Sequence, residues 1–302
     1  MTVQMATLPD RGILEVSGAD RIAFLQGLVS NDMRLVAPNR ALFSALLTAQ
    51  GKLLHDFFVI AGPGDVVWLE VASDRLADLH RRLRMYKLRS KVDLQPRDDL
   101  TVRALWGDGV ETVLTLPDEP GAAVAWGGGV AFLDPRLASM GARVVTPDQE
   151  DTSRFETMGG KAVETSTYET HRHAQGVPDG VRDGVVEKST LLELGYDDLN
   201  AISWDKGCYM GQELTARTRY RGLLKRRLLP VDVEGPLPEI GTPITRGDRT
   251  VGEIRTGSGS RAIAHLRLDA LASDDDPPLE AASRRVAVRT VPWLTGLEQR
   301  LG

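Results

Sequence analysis

One stretch of the sequence, KGCYMGQE at residues 206–213, gathers an ammonium, a thiol and a carboxylate, and its Cys208 is the sole cysteine among 302 residues. A thiolate is a nucleophile and a soft metal ligand, whereas a buried thiol is a small apolar filler. Glycines at 207 and 211 leave the backbone open, which makes a poor wall for a core residue. Lys206 lies two residues from Cys208, so in an extended segment its ammonium projects from the same face as the thiol. GQELTARTRY reads as a helix with Glu213 in its first turn, where a carboxylate suits the positive end of the dipole. Nearby cations and a helix N-terminus are surroundings that favour a thiolate. A cysteine protease needs a histidine base, and sequence alone brings none beside Cys208. A complete metal site within the chain would have to recruit histidines. A site shared with another protein, with Cys208 as one ligand, stays open.

The remaining candidates are weaker. His171 and His173 form an H-x-H pair that would face one way on a strand, but its surroundings read as helical and hold no cysteine or carboxylate cluster for zinc. Asp56, after His55 at the start of the apolar run FFVI, is equally a buried structural acceptor or a general base. The basic run TARTRYRGLLKRR carries Arg217, Arg219, Arg221, Lys225, Arg226 and Arg227. It is either a solvated helix face or a site for a small polyanion. AWGGGV carries three glycines but no Gly-Lys-Ser/Thr, so it reads as a hairpin turn rather than a phosphate loop.

Several elements must position these groups. ILEVSG (13–18) alternates as a strand, and Asp20 is placed to cap a helix in ADRIAFLQGLVSNDM whose face is Ile22, Leu25, Leu28 and Val29. Residues 41–60 read as two buried strands joined at Gln50-Gly51-Lys52, and DVVWLEVA (65–72) as another. SDRLADLHRRLRMYKLR reads as an amphipathic helix capped by Ser73 or Asp74, with Leu76, Leu79, Leu83 and Tyr86 as its buried stripe. A further helix is expected over about 161–175. Beyond Gly222 the chain becomes short strands separated by Gly- and Pro-bearing turns, the pattern of a small antiparallel barrel. The acidic SDDDPPLE (273–280) reads as a solvated loop within it.

The length predicts two or three packed units. With 42% hydrophobic and 26% charged residues the chain is an ordinary globular one, and its net charge of −5 argues against general nucleic-acid binding. A single cysteine excludes an internal disulfide and fits a reducing compartment. The opening MTVQMATLPDRGILEV lacks a basic and apolar secretory pattern, and no apolar run reaches the ~20 residues of a membrane helix. The expectation is a cytoplasmic protein that engages no membrane.

KGCYMGQELTARTRYRGLLKRRL resembles the signature of the YgfZ-type folate-binding proteins, relatives of the glycine-cleavage aminomethyltransferase (T-protein, GcvT-like) that act in iron–sulfur cluster assembly. Its T-A-R-T and R-G-x-x-K-R-R-L variant is similar to the mitochondrial and alphaproteobacterial branch. GADRIAFLQGLVSNDM, ALLTAQGKLLHDFFV, MYKLRSKV, DPRLASMGARVV, LLELGYDDLNAISWDKGCYMGQE and PITRGDRTVGEIRTG follow in the family's order, so the resemblance spans nearly the whole chain.

The resemblance implies an α+β cloverleaf of three parts: two interleaved mixed subdomains over 1–222 and an antiparallel β-barrel over 223–302. It implies tetrahydrofolate binding, with Asp56 matching the aspartate near the reacting folate nitrogen. Arg143 stands where the transferases have a pteridine-gripping glutamate, and Glu70 where they have an asparagine. An arginine accepts no hydrogen bond, which counts against transferase turnover.

The function so implied is an accessory factor for iron–sulfur assembly or repair without ordinary turnover. Cys208 is ligand or relay to a shared cluster, and Lys206 holds that sulfur anionic. Tyr209, Gln212 and Glu213 belong to the site, and Arg219, Arg221 or Lys225 meet a folate tail. One thiol cannot hold a cluster, so an A-type carrier protein or a cluster-containing client enzyme must supply the other ligands. The alternative is a folate-dependent aminomethyl or methyl transferase using Asp56.

Overall fold

The computed structural model describes residues 3–147, 153–157, 159–271 and 277–295. Two units divide the chain. The first comprises Met1–Leu47, Leu54–Tyr168 and Asn200–Met210, and the second Thr48–Leu53, Glu169–Leu199 and Gly211–Gly302.

Two sheets make up the first unit. One has six strands in the order Lys161–Ala162, Gln4–Thr7, Leu100–Trp106, Ala142–Pro147, Gly129–Leu133 and Ala123–Trp126. The other has five, in the order Leu42–Leu47, Leu53–Gly62, Val66–Ala72, Arg11–Ser17 and Asp93–Arg97. The chain thus leaves the first sheet after Thr7, builds the second and returns at Leu100, which is the interleaving expected of a mixed α+β fold. Leu42–Leu47 is buried at every position and Leu53–Gly62 at its first eight, as continuous apolar runs require. Ala123–Trp126 and Gly129–Leu133 form the expected hairpin, with Gly127 and Gly128 at φ +52° and +74° in its turn.

Leu14, Leu46, Phe57, Val59, Leu69, Leu79 and Leu83 form the core against the five-stranded sheet, joined by Phe24 and Leu25 of the helix Arg21–Gln26. That helix is shorter than the sequence pattern suggested, so Leu28 and Val29 fall in the loop after it, where Val29 is still fully buried. Asp20 is not a side-chain cap; its carboxylate accepts from the Lys91 amide at 2.7 Å. Ser73 and Asp74 lie in a 3-10 turn, and the helix Leu76–Lys87 begins without a side-chain cap. Leu79 and Leu83 are buried as expected, but Tyr86 is 39% exposed. Periodicity selects a helix face; it does not say how far the neighbouring core extends beneath that face.

In the second unit Arg226–Val233, Pro243–Arg246, Arg249–Ser258, Arg261–Arg267, Leu279–Ala281 and Arg284–Val288 close into an antiparallel barrel. Leu229, Val231, Ile254, Ala264 and Leu266 fill it. Of the acidic stretch read as a loop, residues 273–276 lie outside the described residues, and Leu279–Ala281 is a barrel strand. The helix expected over 161–175 is Thr165–Gln175; Lys161–Ala162 pairs instead with Gln4–Met5. Among the described residues no helix is long and apolar enough to cross a membrane.

Candidate functional site

Cys208 is exposed, on a segment that is neither helix nor strand. The buried polar sequence Ser30-Asn31-Asp32 ties that segment down. Ser30 donates from Oγ to the Ala201 carbonyl at 2.6 Å, and its own carbonyl accepts from the Ser203 amide at 3.1 Å. Asn31 donates from Nδ2 to the carbonyls of Phe43 and Asn200, both at 2.8 Å. The backbone of 200–203 is thereby stitched to the start of the five-stranded sheet. Sequence reasoning missed Ser30 and Asn31. The available signal was three polar residues in succession directly after an apolar helix face, where a buried loop needs side-chain hydrogen bonds.

Lys206 does not reach toward the thiol. It is 5% exposed, and Nζ donates to the carbonyls of Gln26 at 2.9 Å, Val29 at 2.6 Å and Asn31 at 2.7 Å. An ammonium has three donors, and those three carbonyls account for them. Burial pushes its pKa down to about 8, partly opposed by Asp32. The expected pairing with the sulfur is therefore corrected: alternation along a strand does not apply to an irregular segment. The Tyr209 ring is buried, its centroid 5.1 Å from the same nitrogen.

Glu70 and Arg143, which depart from the transferase pattern separately, meet each other. Arg143 Nη1 donates to Glu70 Oε1 at 2.5 Å, and Arg11 Nε reaches the same oxygen at 3.0 Å. Arg143 also donates to the Tyr168 hydroxyl at 3.0 Å and lies over the Phe58 ring, 4.3 Å from its centroid. Glu70 Oε2 is buried with no donor among the described residues. That oxygen is an acceptor of the kind a pteridine's N–H donors need, and it is contributed from Val66–Ala72.

Asp56 is buried on Leu53–Gly62, 7% exposed. Its neighbour His55 is fully buried and bonds Asp78 through Nε2 at 2.9 Å. Burial, reinforced by Arg75, pushes the His55 pKa down to about 4, so it is a neutral donor to Asp78 at pH 7.

In the second unit Gln212–Tyr220 is helical as expected, with Glu213 in its first turn. Gln212 is half-buried, and Glu213, Arg219, Arg221 and Lys225 are exposed. Arg227 leaves the solvated reading altogether: it is fully buried and donates to Asp198 at 2.6 Å. His173 sits in a second buried network. Arg172 Nη2 lies 2.9 Å from His173 Nε2, which fixes Nε2 as acceptor and leaves Nδ1–H to donate to Ser258 Oγ at 2.9 Å. A histidine that donates to a serine is no base for it. Among the described residues no group of three or more His, Cys, Asp or Glu could hold a metal ion.

Residues 225–296 match the CAF17 C-terminal beta-barrel domain family. A human protein, iron-sulfur cluster assembly factor IBA57, mitochondrial, is 34% identical over 278 residues, covering 86% of this chain and 76% of its own length. The chain belongs to the IBA57 family of iron–sulfur cluster assembly factors. The mouse IBA57 is 33% identical, covering 87% of this chain and 77% of its own, and the Neosartorya fischeri homologue is 33% identical over 87% and 70%. Glycine cleavage system aminomethyltransferase T from Bartonella henselae superposes with a TM-score of 0.79 over 97% of this chain and 86% of its own. At 13% identity that likeness shows the fold alone. The cytoplasmic expectation is corrected, because the IBA57 relatives are named as mitochondrial proteins. A lone cysteine reports only a reducing environment, which more than one compartment provides.

Proposed function

We propose that this IBA57-family chain presents Cys208 as one thiolate ligand to an iron–sulfur cluster that is its cargo. An A-type carrier protein or a client enzyme contributes the remaining ligands. The observation that supports this reading most is the exposure of the chain's sole thiol on a segment stitched to the core by Ser30 and Asn31. A filler would be sealed, and an unanchored loop would present its thiol in many directions. A single sulfur cannot hold a cluster, so the partner follows from ligand count. Like its IBA57 relatives, the protein is assigned to iron–sulfur assembly.

Tetrahydrofolate is the small molecule this reading assigns to it. Glu70 Oε2 receives the pteridine, and Asp56 stands near its reacting nitrogen. Bound folate would supply a one-carbon carrier. Gln212 and Glu213 set the helix start.

The test is reconstitution of a [2Fe–2S] cluster with an A-type carrier, followed by visible circular dichroism and size-exclusion chromatography. Cys208→Ser should abolish the shared cluster with an unchanged melting curve, and Asp56→Asn should leave it intact. A shared cluster that survives Cys208→Ser refutes the reading.

A further inference from the structure

The ammonium of Lys206 occupies a cage built from backbone carbonyls. Gln26, Val29 and Asn31 place their oxygens 2.6–2.9 Å from Nζ, and the side chain is sealed from solvent. The Gln26 carbonyl ends the helix Arg21–Gln26, where carbonyls lack intrahelical partners. Those of Val29 and Asn31 belong to the loop that follows. A second tie lies four residues on: the Met210 amide donates to the Gly27 carbonyl at 3.2 Å. Both ties end on the same short stretch, residues 26–31. Cys208 sits midway between them, two residues from each. Gly207 adds nothing to hold it, since a Cβ there would meet no atom within 4 Å.

We infer that Lys206 is a positioning residue for Cys208, a tethered cation whose seat in the Gln26–Val29–Asn31 carbonyl cage fixes the direction in which the exposed thiol is displayed. The inference rests on the reading of Cys208 as a ligand. It assigns the lysine a mechanical role in place of a charge partnership with the sulfur. It also accounts for the glycine at 207: with the loop fixed from both sides, a small residue there leaves a partner free approach to the thiol. Removing the side chain beyond Cβ leaves three inward carbonyls without a donor, and the deleted atoms are those of n-propylammonium.

Because Cys208 is the sole cysteine, a trifluoroacetonyl tag on its sulfur gives a 19F spectrum of that site alone. The wild-type protein should show one resonance displaced from that of the urea-unfolded chain. Lys206→Ala should move it to the unfolded position, and n-propylammonium should return it saturably to the wild-type position. Tetramethylammonium at equal ionic strength should not. A wild-type resonance in Lys206→Ala overturns the inference, and so does a restoration that tetramethylammonium achieves equally well. Should Lys206→Ala not fold, Lys206→Met keeps most of the volume without the charge and must show the same displacement; a wild-type resonance there is equally fatal. No cluster enters this measurement. Its failure therefore leaves the ligand reading standing, just as a cluster that survives Cys208→Ser leaves the carbonyl cage standing.

Discussion

Arg143 Nη1 and Glu70 Oε1 lie 2.5 Å apart, joining the six-stranded sheet to the five-stranded one through a pair that is 5% and 0% exposed. Breaking a buried pair by removing one partner is costly, because the survivor keeps its charge without its counterpart. Glu70→Gln should lower the unfolding free energy by about 3–5 kcal/mol, and replacing both residues by methionine should lower it by less. Urea unfolding followed by tryptophan fluorescence measures both, and a larger loss in the double variant would contradict the account.

Under the proposed function the same carboxylate accepts from the pteridine. Glu70→Gln turns one acceptor oxygen into a donor, so tetrahydrofolate affinity should fall by about 1.5–3 kcal/mol, the usual worth of a hydrogen bond to a charged group. Isothermal titration at a temperature where the variant is fully folded reads this directly. Equal affinity in the two proteins would remove Glu70 from the pteridine site.

Asn31 joins the start of the five-stranded sheet to the segment that leads to Cys208. Asn31→Ala removes one donor from each of the Phe43 and Asn200 carbonyls and should cost about 1–3 kcal/mol. Hydrogen exchange should accelerate at the Ser203 amide, which bonds the Ser30 carbonyl at 3.1 Å. Unchanged exchange there would mean that Asn31 does not hold this segment.

His173 gives stability a pH dependence. Burial, then the Arg172 charge, pushes its pKa down from 6.5 to about 4. The folded state therefore binds fewer protons than the unfolded one. Its contribution is complete above pH 6.5 and is lost as the pH falls toward 4, by about 3 kcal/mol at 1.36 kcal/mol per unit. Guanidinium unfolding across pH 4–7 should show that loss, and His173→Gln should reduce the slope while His55, depressed to the same value, keeps its own share. A slope identical in both proteins assigns the effect elsewhere.

Gly51 turns the chain at φ +75°, and a Cβ there would stand 2.8 Å from both the Gly211 carbonyl oxygen and Leu214 Cβ. Gly51→Ala combines an unfavourable backbone region with a clash against the start of the Gln212–Tyr220 helix, and should cost about 1–3 kcal/mol. Differential scanning calorimetry checks it; a melting temperature equal to wild type would show that the helix start yields freely.

Much of the fold was legible because it rests on local patterns. The buried runs around 41–60, the hairpin at Gly127-Gly128 and the short strands beyond Gly222 each carry their period and turn residues in consecutive positions. The site was legible in part. Cys208 stood out by its isolation and its glycines, whereas Ser30 and Asn31 did not, since nothing near them in sequence shows what they bond.

The sequence by itself determined the fold class and the cysteine count, and with that count the need for outside ligands if Cys208 binds a cluster. Periodicity and composition are properties of neighbouring residues, and no packing is needed to read them. Only the tertiary structure decided where charges go. Lys206 meets the Asn31 carbonyl 175 residues away, Arg143 meets Glu70 73 residues away, and Arg227 turns inward from an otherwise exposed basic run. A charged side chain is long and finds its partner through space. Its direction is set by which elements pack beneath it, and not by the residues on either side.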